Sequence, residues 1–383
     1  MDRTKIVFII TKLELGGAQK SVLYSAENLD KNKFETFLLC GEGGYFDEYA
    51  RQRIKNIFFI KNLQRQIRPF KDFFAFLEIL TILRNIRPDI IHTNSSKAGI
   101  LGRAAAKLIC KRPKIVHTAH GFGFNDRQNY LIRNFYIFLE RIFARFTDKI
   151  IFVSLRDLKT ALKLKIARAE KCRLLRAGVE LKTKGNFRDF SRARKIKSLG
   201  LNENAKIILS VANLKPQKNP LDMVRAAKIV CEKIPNAVFL YLGTGELEKR
   251  AKNLIAQNNL QNNFKLLGHR DDTAELLATA DVFALSSLWE GLPMALVEAL
   301  SMELPAVCYD AGGISELLQD GKNGFLIERG NFEALADAIL KILDGSFKFD
   351  CSVVDLQEFD IKEMLKKQEE LYEFVTNDRN KDT

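Results

Sequence analysis

No apolar stretch in this 383-residue sequence approaches the roughly 18 to 20 residues needed to cross a bilayer. The apolar run Ile6–Ile10 is far shorter than a secretory signal and has the length of a first buried strand. The six cysteines (Cys40, Cys110, Cys172, Cys231, Cys308, Cys351) are scattered with no C-x-x-C spacing, and no His/Cys/carboxylate cluster has zinc-ligand spacing. These absences exclude a membrane span and a structural zinc site, and they fit a reducing, cytosolic compartment. Short-period repeats are absent too, which excludes a solenoid.

Acidic residues are scarce in one half only. Residues 1–182 hold 35 Lys+Arg against 17 Asp+Glu, a net +18, whereas residues 183–383 hold 26 against 30, a net −4. Coding bias toward lysine would not leave the second half slightly acidic. A basic half with interleaved Phe, Ile and Leu suits an anionic membrane surface or nucleic acid. The nucleic-acid alternative rests on charge alone, since no RRM, helix-turn-helix or zinc signature accompanies it.

With 46% hydrophobic residues the chain can bury more than one core, so two domains are expected. Short β-branched or aromatic runs alternate with amphipathic stretches. Ile6–Ile10, Glu35–Leu39, Ile57–Ile60, Ile90–His92, Lys114–Thr118 and Ile150–Ser154 are expected strands in the first half. Ile207–Val211, Ala237–Leu242, Phe264–Leu267, Val282–Leu285, Ala306–Tyr309 and Gly324–Ile327 repeat the rhythm in the second. This alternation predicts an α/β fold of two mostly parallel sheets with helices on both faces. The polar, turn-rich stretch Leu181–Asn204 reads as a linker, giving domains 1–182 and 183–360. Residues 361–375 have helical spacing, and Asn377–Thr383 reads as a frayed tail.

The most informative residues are Glu290 and Glu298, eight apart where the expected strand Val282–Ser286 turns through Gly291 and Pro293 into a helix from Met294. Free backbone N–H groups at such a helix start, here around Gly291, Leu292, Pro293 and Met294, can hold a phosphate. A carboxylate can accept hydrogen bonds from two vicinal sugar hydroxyls. The layout suits a nucleotide-sugar. Gly243 and Gly245 follow a strand and let backbone approach a ligand closely, but Glu248 stands where a dinucleotide fingerprint has glycine, which counts against an NAD enzyme. Lys218 follows another strand and places a flexible ammonium where a diphosphate would gather charge.

The segment Glu290–Glu298 resembles the Glu-x7-Glu signature of family 4 retaining glycosyltransferases of the two-Rossmann GT-B architecture. Leu15-Gly-Gly-Ala18, His117-Thr-Ala-His-Gly-Phe122, Lys215-Pro-Gln-Lys-Asn219, Gly243-Thr-Gly245 and Ala311-Gly-Gly-Ile-Ser-Glu316 agree in order over almost the whole chain. The resemblance implies two Rossmann-like domains facing a cleft, with a C-terminal helix crossing back to the first. It implies that Glu298 binds ribose hydroxyls, Glu290 the transferred sugar, Lys218 the diphosphate, and His120 the sugar and diphosphate from the first domain. Gly16 and Gly17 would shape the acceptor-side wall. His269 is placed near the nucleotide base, whereas His92 and His117 are expected to cap strand ends. One departure stands out, since Asn213 occupies the place of the family's diphosphate arginine and leaves Lys215 as the nearest substitute cation. With no Asp-x-Asp pair anywhere, the expected transfer is metal-independent and needs no cofactor.

The stretch Ile91–Gly102 with the His-Gly-Phe-Gly block is similar to bacterial transferases that extend lipid-linked glycans. The implied partners are a UDP-linked nucleotide-sugar and a polyprenyl-linked acceptor at the inner face of the cytoplasmic membrane. A GT-B nucleotide-sugar epimerase is the alternative enzyme. Residues 51–87 hold nine Lys/Arg against two acids with six Phe, which suits insertion at an anionic headgroup boundary. In residues 127–146, Leu131, Phe135, Phe138, Ile142 and Phe146 share one side and Arg127, Arg133, Arg141 and Arg145 the other, and this helix is expected to pack its apolar side on the core.

Overall fold

The computed structural model describes residues 3–109, 112–126, 128–183 and 191–377. The chain forms two compact units, one made of residues up to Gly178 together with Glu358 onward, the other of Val179–Gln357. Each is a parallel sheet wound on both faces by helices.

The first unit's strands are β1 (Thr4–Lys12), β2 (Phe34–Gly41), β3 (Ile57–Ile60), β4 (Ile90–Asn94), β5 (Lys114–Ala119), β6 (Lys149–Phe152) and β7 (Cys172–Leu174). Their order is β3-β2-β1-β4-β5-β6-β7. Val7, Phe8 and Ile9 are fully buried, as continuous apolar runs must be when both faces of a sheet are covered. The connecting helices are α1 (Gly17–Asn28), α2 (Asp47–Arg53), α3 (Pro69–Ile86), α4 (Ser96–Lys107), α5 (Tyr130–Arg145) and α6 (Leu155–Lys163). The chain moves outward from β1 to β3 and then returns to β4, so right-handed crossovers put α1 and α2 on one face and α3 to α6 on the other. Core contacts follow that split. Phe8 and Ile10 pack with Val22 and Leu23, while Val7 and Ile9 pack with Ala75, Ile79, Ala98 and Ala105.

The second unit carries α7 (Arg192–Ser198), β8 (Lys206–Val211), α8 (Pro220–Lys233), β9 (Ala237–Leu242), α9 (Glu248–Gln257), β10 (Phe264–Gly268), α10 (Thr273–Thr279), β11 (Val282–Leu285), α11 (Met294–Ser301), β12 (Ala306–Tyr309), β13 (Gly324–Ile327) and α12 (Phe332–Leu343). Its order is β10-β9-β8-β11-β12-β13. In both sheets the order reverses beside the first strand, between β1 and β4 and between β8 and β11. Crevices open at the carboxyl ends of such strand pairs, because the helices that follow them leave toward opposite faces.

The last helix, α13 (Ile361–Asn377), belongs to the first unit and adds Met364, Leu371, Tyr372 and Val375 to its core. A buried polar chain fastens it. Ser25 Oγ donates to Gln368 Oε1 (2.6 Å), and Gln368 Nε2 donates to Tyr372 Oη (2.7 Å). Tyr372 Oη and His92 Nδ1 lie 2.5 Å apart, and His92 Nε2 lies 2.7 Å from Thr118 Oγ1. One proton arrangement satisfies every link: the Tyr372 hydroxyl donates to Nδ1 and the neutral imidazole donates from Nε2 to Thr118.

Several sequence expectations need correction. His92 and His117 do not cap strand ends; they lie inside β4 and β5, buried and hydrogen-bonded. Ser154 is not in a strand but caps α6, accepting from Asp157 N at 3.1 Å. β7 escaped notice because its three residues include an arginine and make no apolar run. The stretch read as a linker holds α7, whose Lys195 pairs with Asp272 and Glu275 and whose Arg192 pairs with Asp281. Residues 184–190 and 378–383, parts of the expected linker and tail, lie outside the described residues, as do Cys110 and Arg127. The core-packed reading of α5 fails for the first part of the helix, while Ile142 and Phe146 of the expected apolar side are half-buried. Only Ile137 and Ala144 of that helix are buried, and Leu131, Phe135 and Phe138 are exposed.

Candidate active site

In the second unit, Lys218 follows β8 and Glu290 follows β11, so the two side chains meet across the crevice between those strands. Lys218 Nζ is ion-paired with Glu290 Oε1, with side chains 20% and 6% exposed. Hydrogen bonds from neighbouring loops set the two backbones. Ser286 Oγ donates to the carbonyls of Lys218 (3.1 Å) and Asn219 (2.9 Å), Gln217 Nε2 donates to Trp289 O (2.9 Å), and Leu288 N donates to Gln217 O (2.8 Å). Ser286 and Gln217 are functional-looking positions that the sequence reading missed, because their partners lie about seventy residues away.

The glycine loop stands beside this pair. Ala212 N bonds Leu242 O (2.9 Å), Leu214 N bonds Thr244 O (3.0 Å) and Leu247 N bonds Leu214 O (2.9 Å), which lays Asn213 along Gly243-Thr-Gly245. Gly243 has φ +139° and a β-carbon there would sit 2.1 Å from Ala212 O; at Gly245 it would sit 2.4 Å from Leu214 O. Only glycine admits that approach. Gly312 is fixed in the same way, since φ is +61° and a β-carbon would lie 1.9 Å from the carbonyl of Glu290. Gly313 N then bonds Gly291 O at 2.8 Å, so the Ala-Gly-Gly block sets the turn that carries Glu290.

Gly291, Leu292 and Pro293 are buried, and Met294 opens α11 with no side-chain cap on its first turn. The opening N–H groups of a helix have no intrahelical acceptor and carry partial positive charge, a fit for phosphate. Glu298 lies half-buried in the second turn of the same helix. His269 is 3.2 Å from Asp271, an exposed pairing.

In the first unit, Gly16 and Gly17 follow β1 and open α1, while Asn94 ends β4 and Ser95 follows it across the equivalent crevice. Thr11 and Ser95 hydroxyls meet at 2.7 Å, and Thr11 Oγ1 accepts from Ala98 N at 3.2 Å. His120, at the end of β5, reaches Asn94: its Nε2 is 3.0 Å from Oδ1. Asn94 Nδ2 donates in turn to His92 O (3.4 Å), which orients the amide so that Oδ1 accepts from His120 Nε2–H and leaves Nδ1 as an acceptor. Burial lowers the His120 pKa to about 4, so the ring is neutral near pH 7. A cavity of about 30 Å³ lined by His92, Asn94, Thr118 and His120 adjoins it, room for about two waters. Asn94 is the other residue sequence reasoning missed, although its position at the carboxyl end of a strand was a visible signal.

Two family models match in tandem, "Glycosyltransferase Family 4" over residues 15–183 and "Glycosyl transferases group 1" over residues 191–351. A UDP-Gal:α-D-GlcNAc-diphosphoundecaprenol α-1,3-galactosyltransferase from Escherichia coli is 33% identical over 384 residues, 97% of each chain. The chain belongs to the family 4 glycosyltransferases. Another relative of this glycosyltransferase is CapM of Staphylococcus aureus, a capsular polysaccharide biosynthesis glycosyltransferase, 23% identical over 83% of each chain. Among solved structures, Anabaena HepE in complex with UDP and glucose superposes with TM-score 0.82, at 20% identity over 97% of this chain and 100% of its own. Sucrose-phosphate synthase from Thermosynechococcus elongatus gives 0.81 at 19% identity over 97% and 99%. Both share its GT-B fold of two Rossmann-like domains.

Proposed function

We propose that this glycosyltransferase moves a hexose or N-acetylhexosamine from a UDP-linked donor to a glycan carried on a polyprenyl diphosphate, with retention of anomeric configuration. The observation that carries the reading is the Lys218–Glu290 pair across the β8/β11 crevice, beside the uncapped first turn of α11. The substrates named for the Escherichia coli relative, similar along the full length of both chains, support the donor and acceptor classes.

In this scheme the bond from the anomeric carbon to the diphosphate breaks and its electron pair stays on the departing oxygen. The acceptor hydroxyl bonds to that carbon and passes its proton to the departing diphosphate oxygen. Lys218 turns from Glu290 to the diphosphate, joined by the N–H groups of Gly291, Leu292 and Met294, and stabilises the charge as it grows. Glu290, released from the ammonium, accepts hydrogen bonds from the sugar hydroxyls. Glu298 takes the ribose hydroxyls, and Asn213, Gly243 and Gly245 shape the donor loop. In the first unit, His120 serves the transferred sugar through its free Nδ1, and Gly16 and Gly17 serve the acceptor side.

Labelled UDP-sugars incubated with a lipid-linked acceptor test the reading. Expected is an α-linked product that needs the acceptor; epimerised free donor formed without acceptor would replace the transferase reading by the epimerase. No divalent ion enters the scheme, so EDTA is expected to leave most activity. Abolition by chelation with rescue by magnesium or manganese would remove Lys218 as the main diphosphate partner. Glu298→Ala removes charge-assisted hydrogen bonds worth roughly 1.5 to 3 kcal/mol, so transfer is expected to fall about tenfold or more. Wild-type rates in the folded variant would discard the ribose assignment.

The same reading places the enzyme peripherally on the inner face of the cytoplasmic membrane, docked through α3 and the segment before it. Ile67, Phe70, Phe73, Phe74 and Leu77 are exposed there, Phe70 to 85%, with Arg65, Arg68 and Lys71 among them. Apolar rings among cations gain both burial at the headgroup boundary and attraction to anionic lipid. The described helices include none long and apolar enough to cross a membrane.

A further inference from the structure

A helix that shows five large apolar side chains to solvent calls for a partner. On α5 these are Tyr130, Leu131, Ile132, Phe135 and Phe138, each more than half exposed. They are confined to the first nine residues of the helix; the remainder is held down by Ala144 and by a contact deep in the fold. Arg103 of α4 is fully buried and ion-paired with Glu140, with Nη2–Oε2 at 3.2 Å, and its guanidinium lies over the Phe143 ring at 5.3 Å. Glu140 is the only acid in α5. Turning it inward leaves Arg133, Arg141 and Arg145 as the helix's remaining charges, all of one sign.

The fold brings this patch alongside the one on α3. Both helices flank α4 on the same face of the seven-stranded sheet, and in a parallel sheet each begins at the carboxyl edge, where His120 stands. Their exposed residues fall in their first turns: Phe70, Phe73, Phe74 and Leu77 in α3, and the five named above in α5. Between them α4 is recessed, because its inward side is glycine and alanine. A β-carbon at Gly99 would sit 2.7 Å from His117 and one at Gly102 would sit 2.8 Å from Thr93.

We infer that α5 is a second membrane foot, and that α3 and α5 together seat the carboxyl edge of the first sheet on an anionic bilayer, astride α4. The inference rests on the membrane part of the function proposed above and adds the surface and the orientation. A single amphipathic contact lets a domain pivot, whereas two contacts on either side of a recessed helix fix its tilt. A bilayer suits the charge better than a second copy of the chain does. In a two-fold dimer the patch would face itself and bring arginines against arginines, while anionic headgroups complement them.

The experiment compares co-sedimentation with vesicles of phosphatidylcholine alone and of phosphatidylcholine mixed with phosphatidylglycerol. The proteins are wild type, an α3 variant (Phe70→Gln, Phe73→Gln, Phe74→Gln) and an α5 variant (Leu131→Gln, Phe135→Gln, Phe138→Gln). The replaced side chains are exposed and glutamine is a good helix former, so folding is preserved. Wild type is expected to prefer the anionic vesicles, with binding falling as salt is added, and each variant is expected to lose roughly tenfold or more. Transfer to a water-soluble acceptor analogue is expected to stay unchanged in both. If the α5 variant binds like wild type while the α3 variant fails, the second foot is refuted and the α3 docking stands. If wild type binds neither vesicle, or both equally, the electrostatic membrane reading falls with it. A wild type that self-associates without lipid, with the α5 variant monomeric, makes α5 a contact between copies and overturns the inference.

Discussion

Lys218→Ala is expected to lower kcat/KM by about 100-fold or more, the loss that follows removal of a donor aimed at developing charge. It is also expected to lower stability by about 1 to 3 kcal/mol, because the buried Glu290 side chain loses the ammonium beside it. The two losses have different cures. Glu290→Gln in the same chain removes the stranded carboxyl group, so the double variant is expected to regain most of the stability and none of the activity. Thermal unfolding with single-turnover transfer across wild type, both single variants and the double variant measures this cycle. If activity returns together with stability, the ion pair supports the fold and the diphosphate assignment is wrong.

Acid is expected to destabilise the first unit from about pH 6.5 downward. Burial holds His92 at about 3 and His120 at about 4, and lowers His117 well below its ordinary value. Unfolded histidine binds its proton near pH 6.5, so between that pH and the folded values the unfolded chain holds more protons. Stability is therefore full above pH 6.5 and is lost as pH falls, at about 1.4 kcal/mol per pH unit for each such histidine, levelling off below the folded values. His92→Gln keeps a donor and an acceptor but cannot titrate. Its stability profile is expected to be shallower by about 1.4 kcal/mol per pH unit between pH 4 and pH 6. An unchanged slope would assign the acid limb to other groups.

Every strand of the two sheets except β7 was legible because buried parallel strands write continuous β-branched runs between turn residues, as Ile207–Val211 and Ala306–Tyr309 do. Periodicity served α5 less well. It located the apolar side of the helix, but whether that side is covered depends on what else the chain brings there, which no local pattern records. The same limit hid the pairing of Arg103 with Glu140, 37 residues apart, and of His92 with Tyr372, 280 apart. Of the candidate site, the residues tied to strand ends and tight turns were readable: Lys218, Glu290, Gly243 and Gly245. Asn94, Gln217 and Ser286 were not, since an amide or hydroxyl reveals its task only when its partner comes into reach.

The placement of α13 imposes an order of events during synthesis. The second unit is one unbroken run of chain, Val179–Gln357, and holds all of its core once that run has left the ribosome. The first unit is translated earlier yet stays unfinished, because the side chains that close over Phe8 and His92 come from Gln368, Leu371 and Tyr372. Domains generally mature in the order in which they are made. Here the later unit is complete before the earlier one, and the nascent first unit leaves part of one face of its central sheet uncovered until α13 is translated.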